Sequence, residues 1–128
     1  MAGCVKRMTE DLMQRACVTS MRRKGWTLVA REWAVDSKVE GYGRGDLVFK
    51  KPGSFYVVEV KRRAIPKVFE QAKYYGAVWR MKMRQSDARP VRYGVWTCTT
   101  KRQLGVITSR KRAESLCTRK GVCRRLVA

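Results

Sequence analysis

The sequence predicts a single α/β domain, and three observations carry that prediction. Two segments repeat their apolar residues at helical spacing, a Pro-Gly turn separates two runs of β-forming residues, and 128 residues leave room for one sheet with two or three helices. At 14.8 kDa a two-domain enzyme is excluded.

In the first segment Val5, Met8, Leu12, Cys17 and Met21 recur along one helical face, and Gly25 supplies a stop, so a helix is placed from Val5 to Lys24. Trp26, Leu28 and Ala30 then alternate with Val29, Arg31 and Trp33, the pattern of a strand ending in the polar stretch from Asp36 to Glu40. The glycines at 41, 43 and 45 mark a loop. Asp46 to Lys50 and Phe55 to Lys61 read as the two arms of a hairpin around Lys51-Pro52-Gly53-Ser54. Ile65-Pro66 opens a second helix, with Val68, Phe69, Ala72, Tyr75 and Trp79 as its apolar stripe, running to about Arg84. Val91–Cys98 and Leu104–Thr108 form a second hairpin around a polar turn at Thr99-Thr100-Lys101-Arg102-Gln103. The predicted order is α-β-β-β-α-β-β, with residues 1–109 as the core and 110–128 as a basic extension that opens with a short helix capped by Ser109.

Composition narrows the function. Thirty Lys and Arg against ten acids give a formal charge of +20, which points to a polyanion partner. The halves differ: residues 1–64 carry +7 and residues 65–128 carry +13, placing much of the phosphate-binding surface in the C-terminal half. No apolar run is long enough to span a membrane, and the N-terminal residues reach charge before an apolar stretch builds, so neither a membrane span nor a secretory signal is expected. The absence of histidine removes Ser-His-Asp and Cys-His triads and His-ligated zinc. Five cysteines with no C-x-x-C pair suggest neither a disulfide framework nor a zinc ribbon, and a reducing, intracellular setting is expected.

Any acid/base chemistry therefore falls to carboxylates and lysines. If the first hairpin is symmetric about Pro52-Gly53, Phe49 faces Tyr56 and Asp46 faces Glu59. Two like charges in a cross-strand pair repel, and burial sharpens the repulsion, so a cation is expected between them. Lys61, two residues beyond Glu59, falls on the same strand face. A hard divalent ion such as Mg²⁺ or Mn²⁺ suits two carboxylates and a phosphodiester oxygen, and a neighbouring lysine can orient the attacking water.

The stretch GRGDLVFKKPGSFYVVEVKRR, followed by VFEQAKYYG, resembles the PD-(D/E)xK nuclease superfamily. The likeness runs from about Glu10 to Ile107 and implies a restriction-endonuclease-like αβββαβ core, a central mixed sheet flanked by helices. It implies that Asp46 and Glu59 are the two motif acids, that Lys61 is the motif lysine, that Gln71 with Tyr75 is the Gln-containing helix motif, and that Glu10 is an additional residue of the metal shell. The sequence departs from the family at Gly45, where a proline usually precedes the first acid. Small size and basicity resemble viral and archaeal-type Holliday junction resolvase-like members.

The expectation is thus a Mg²⁺- or Mn²⁺-dependent deoxyribonuclease with Glu10, Asp46 and Glu59 at the metal, Lys61 and Gln71 in support, and Arg44, Arg62, Arg63, Lys73, Arg110, Lys111 and Arg112 on DNA phosphates. Tyr42 shares the glycine-rich loop with Arg44 and is a further candidate for substrate contact. Rival readings are a junction resolvase acting as a homodimer, a nucleic-acid-binding protein with a silent site, and a structural protein of a ribosome or virion. The last explains the charge but not the facing acids.

Overall fold

In the computed structural model, residues 9–35 and 43–119 are described. Helix α1 spans Glu10–Arg23, strands β1 Thr27–Ala34, β2 Arg44–Lys51 and β3 Ser54–Val60 follow, then α2 Pro66–Lys82, β4 Val91–Trp96, β5 Lys101–Ile107 and α3 Arg110–Arg119. The five strands form one sheet in the order β1-β2-β3-β4-β5. Its first three strands are antiparallel, β3 and β4 are parallel with α2 as the crossover, and β5 returns antiparallel to β4. Among the described residues no helix is long and apolar enough to cross a membrane.

Local signals explain the ends of the elements. Thr9 caps α1 by accepting from Leu12 N at 3.2 Å, which sets the helix start at Glu10; the expected start at Val5 lies outside the described residues. Glu10 and Asp11 in its first turn and Arg22 and Arg23 in its last complement the helix dipole. Gly25, at φ +90°, supplies the expected stop. Pro66 opens α2 at a position where its missing N–H costs nothing.

The sheet is covered on both faces. Met13, Cys17 and Met21 of α1 pack on Leu47, Phe49, Val58 and Val60. Val48, Phe55 and Val57 point the other way, against Tyr75, Val78 and Met81 of α2. That same cluster contains Ala113, Leu116 and Cys117 of α3, all essentially inaccessible. Residues 110–117 therefore complete the core and are no appended tail. The short helix does carry its expected cap, with Arg112 N donating to Ser109 Oγ at 3.1 Å. Further along, residues 120–128 lie outside the described part.

Three expectations change. A bulge between Leu28 and Ala30 breaks the simple alternation of β1, so Leu28 packs with the α1 cluster and Ala30 with the α2 cluster. Strand β5 begins at Lys101, because the turn is already closed at Thr97–Thr100 by Thr97 N to Thr100 O at 2.6 Å and by Thr100 N to Thr97 Oγ1 at 2.8 Å. Cys98 is disulfide-bonded, against the expectation from cysteine spacing, whereas Cys17 and Cys117 are buried free thiols.

Candidate active site

The expected register of the first hairpin is the observed one. Leu47 pairs with Val58, Phe49 with Tyr56 and Lys51 with Ser54, which sets Asp46 opposite Glu59 one step beyond the last paired residues. At that step side chains replace the backbone ladder. Asp46 N donates to Glu59 Oε1 at 3.0 Å, and Val60 N donates to Asp46 Oδ2 at 2.7 Å. Each carboxylate thus occupies a hydrogen bond that would otherwise extend the strand pair, which fixes both side chains where β2 and β3 part. By alternation Glu59 shares the face of Phe55 and Val57, the face that α2 covers, so it is buried to 1% exposure. Asp46 is 7% exposed.

Lys61 and Glu10 close the arrangement. The Lys61 ammonium lies 4.0 Å from Asp46 Oδ2 and 3.5 Å from Glu10 Oε2. Glu10 is half-exposed on the first turn of α1 and reaches the acids through this lysine. Burial pushes the Asp46 carboxyl above its ordinary value, against the lowering influence of Lys61 and the Val60 N–H. Glu59 is pushed well above the ordinary range by burial first and by the charge of Asp46 second. For Lys61 burial works against the charged form, yet the carboxylates of Asp46, Glu59 and Glu10 together leave its pKa raised, so it is an ammonium at neutral pH. One lysine does not fully compensate two buried acids.

The chemistry of this donor set would suit a hard divalent cation, with Asp46 and Glu59 as the protein oxygens that would hold it. No three acidic or thiol side chains converge as a ready-made cage among the described residues. The site offers a two-carboxylate anchor, with Glu10 directed to the lysine.

Sequence reasoning missed a chain of polar residues behind Asp46. Gln14, buried at 4% exposure, donates through Nε2 to Asp46 Oδ1 at 3.3 Å. Its Oε1 accepts from Arg31 Nε at 2.8 Å, and Arg31 Nη2 in turn donates to Asp11 Oδ1. The Arg31 contact fixes the amide orientation, since only Nε2 then remains to face the carboxylate. A signal existed: Gln14 follows Glu10 by four residues and so shares its helix face. Gly45 also has a physical reason. A Cβ there would sit 2.5 Å from atoms of the Trp33 indole, so the residue before Asp46 is excluded from carrying any side chain, proline included, unless Trp33 moves.

The other expected residues are spread out. Gln71 is buried in the second turn of α2, and Tyr75, one turn on, is a core residue at 1% exposure. Arg44 opens β2 two residues before Asp46, and Arg62 and Arg63 follow Lys61 directly; all three are exposed around the site. Lys73 is half-buried on α2, while Lys111 and Arg112 are exposed on α3. Arg110 is committed elsewhere: its Nη1 donates to the carbonyls of Met81 and Met83, at 3.2 and 3.4 Å, closing the C-terminal end of α2. Tyr42 lies outside the described residues. No family model matches this chain, and no curated protein does.

Proposed function

We propose that the protein is a metal-dependent deoxyribonuclease of the restriction-endonuclease-like type, with Asp46, Glu59 and Lys61 at its centre. The observation that carries this reading is the buried, undercompensated acid pair at the end of one hairpin, with an ammonium 4.0 Å from it, in a chain of charge +20. Burying two facing carboxylates is costly, and a site with no cation to hold has no reason to sustain that cost. Asp46 and Glu59 would hold a Mg²⁺ or Mn²⁺ ion, which would lower the pKa of water and offset charge on the scissile phosphate.

The chain's own residues do the rest. Asp46 and Glu59 present oxygens fixed by backbone N–H groups, and Gln14 holds the Asp46 carboxylate from behind. Lys61, held by Glu10, orients the attacking water and offsets charge on the phosphate in the transition state. Arg44, Arg62 and Arg63 bracket the acids and hold the flanking phosphates.

The test is incubation with linear duplex, single-stranded and four-way-junction DNA in Mg²⁺, Mn²⁺ or EDTA. Cleavage is expected only with metal. Lys61→Ala should lose about a hundredfold or more in turnover with little change in DNA affinity, because one phosphate contact among many is a small part of binding. Binding without cleavage on every substrate overturns the reading, as does wild-type cleavage by Asp46→Asn.

A further inference from the structure

The opposite end of the same hairpin carries a second feature that the acid site does not use. A cleft of about 660 Å³ lies between the start of β3 and the end of α2, with Lys50, Phe55, Trp79, Arg84, Asp87 and Arg89 among its walls. Lys50 is four residues from Asp46 along β2, which at the rise of a strand separates the cleft from the acid pair by roughly 13 Å.

Its walls are aromatic and its rim is cationic. The rings of Phe55 and Trp79 lie 5.9 Å apart at 57°. The Arg89 guanidinium sits 4.3 Å from the centre of the Phe55 ring, and it is pinned there by Asp87, with Nη2 to Oδ2 at 2.7 Å and Nε to Oδ1 at 3.0 Å. That pairing also holds the Asp87 carboxyl down, at about 2. Asp87 is thereby neutralised, and the guanidinium becomes a planar shelf already paid for in conformational entropy. Lys50 and Arg84 are exposed on the rim, while the ion pair within the cleft is that of Arg89 with Asp87. A partly exposed guanidinium face, the Trp79 ring and two exposed cations at the edge suit a ligand that joins a planar heterocycle to an anionic group.

We infer that this cleft binds a nucleotide unit, its base against the Phe55–Arg89 shelf and Trp79 and its phosphate at Lys50 and Arg84. The ligand is a free mononucleotide or an unpaired nucleotide of a strand. The inference is independent of the cleavage reading, since it involves neither the acid pair nor a metal.

The test is calorimetric titration of the full chain in EDTA with deoxyadenosine monophosphate, deoxyadenosine, inorganic phosphate and a short single-stranded oligonucleotide. The mononucleotide or the oligonucleotide should bind at least about tenfold more tightly than phosphate or nucleoside. The Lys50→Ala/Arg84→Ala double variant should lose about tenfold, and Trp79→Phe should weaken binding while the far-ultraviolet spectrum stays native. Glu59→Gln should bind as wild type does, which separates this site from the acid pair. A preference for the oligonucleotide that the double variant loses identifies a strand as the source, equal binding per nucleotide identifies the free ligand, and a preference that the double variant keeps belongs to the Arg44, Arg62 and Arg63 surface and overturns the inference. Phosphate binding as tightly as the nucleotide, or a double variant that binds unchanged, overturns the inference.

Discussion

The two ends of the β2–β3 hairpin are built from the same strands and handle charge in opposite ways. At the open end Asp46 and Glu59 are buried opposite each other, and burial drives both carboxyls upward in pKa. At the turn end the charges sit at the surface on partners. Lys51 lies 4.6 Å from the Trp26 ring centre, Arg89 lies over Phe55, and Asp87 is held at about 2 by Arg89. One end stores unfavourable electrostatics, and the other has discharged them. On the function proposed above, the open end is the one a bound cation would relieve, because a buried pair of like charges is where a counter-charge has the largest effect.

The strongest way to break the contrast is to remove one charge from the open end. Glu59→Gln should cut cleavage by about a hundredfold or more and, in EDTA, should raise the melting temperature, since it deletes one of two facing buried carboxylates. Millimolar Mg²⁺ should then stabilise wild type more than the variant. Thermal denaturation with and without metal reads both effects. A variant less stable than wild type in EDTA would mean that the Asp46 N to Glu59 bond outweighs the repulsion.

The turn end depends on α3, and Leu116→Ala sharpens that side. Leu116 is 2% exposed in the cluster shared with α2, and Arg110 ties the start of α3 to the Met81 and Met83 carbonyls. Truncating it should cost about 2–5 kcal/mol by chemical denaturation, the range for a buried leucine whose cavity does not collapse. A cost under about 0.5 kcal/mol would make residues 110–119 the detachable extension that their basic composition suggests.

How much of this was legible in the sequence follows from what each signal depends on. The Asp46–Glu59 opposition was readable because a hairpin's register is local, fixed by Pro52-Gly53 and carried by period-two alternation. The burial of α3 was not, because seven Lys and Arg beyond residue 109 mask three apolar residues spaced for a helix face, Ala113, Leu116 and Cys117. Nor was the β1 bulge, which alternation alone cannot register. Gln14 was half-legible: its spacing from Glu10 is local, but its partners Arg31 and Asp46 come from two other elements.

That residue offers a smaller perturbation of the open end. Gln14→Ala removes a donor from Asp46 and an acceptor from Arg31, so turnover should fall about tenfold at unchanged DNA affinity, with a stability loss of about 1–3 kcal/mol. Gln14→Glu keeps the acceptor for Arg31 but sets a third carboxylate against Asp46, so it should restore stability only in the presence of Mg²⁺. Single-turnover kinetics across a DNA titration separate the two parameters. Loss of affinity equal to the loss of rate would show that Gln14 acts on the fold and not on Asp46.

The smallest effect tests the comparison most directly, because the two ends should titrate in opposite senses. The raised carboxyls of Asp46 and Glu59 bind protons more tightly in the folded state. Their contribution is therefore full below the ordinary values of 3.8 and 4.5 and is lost as pH rises through the folded pKa. Asp87 runs the other way: its folded pKa of about 2 lies below the ordinary 3.8, so its contribution is present above 3.8 and is lost as pH falls toward 2. Since the Asp87–Arg89 pair is partly exposed, solvent screening holds that contribution to at most about 1 kcal/mol. Asp87→Asn should accordingly lower stability slightly at pH 6, by an amount that shrinks in high salt, and should leave it unchanged near pH 2. Glu59→Gln should instead flatten the decline of metal-free wild type on the alkaline side. Urea denaturation of both variants from pH 2 to pH 8 in EDTA gives the two profiles, and parallel profiles would erase the electrostatic distinction between the ends of the hairpin.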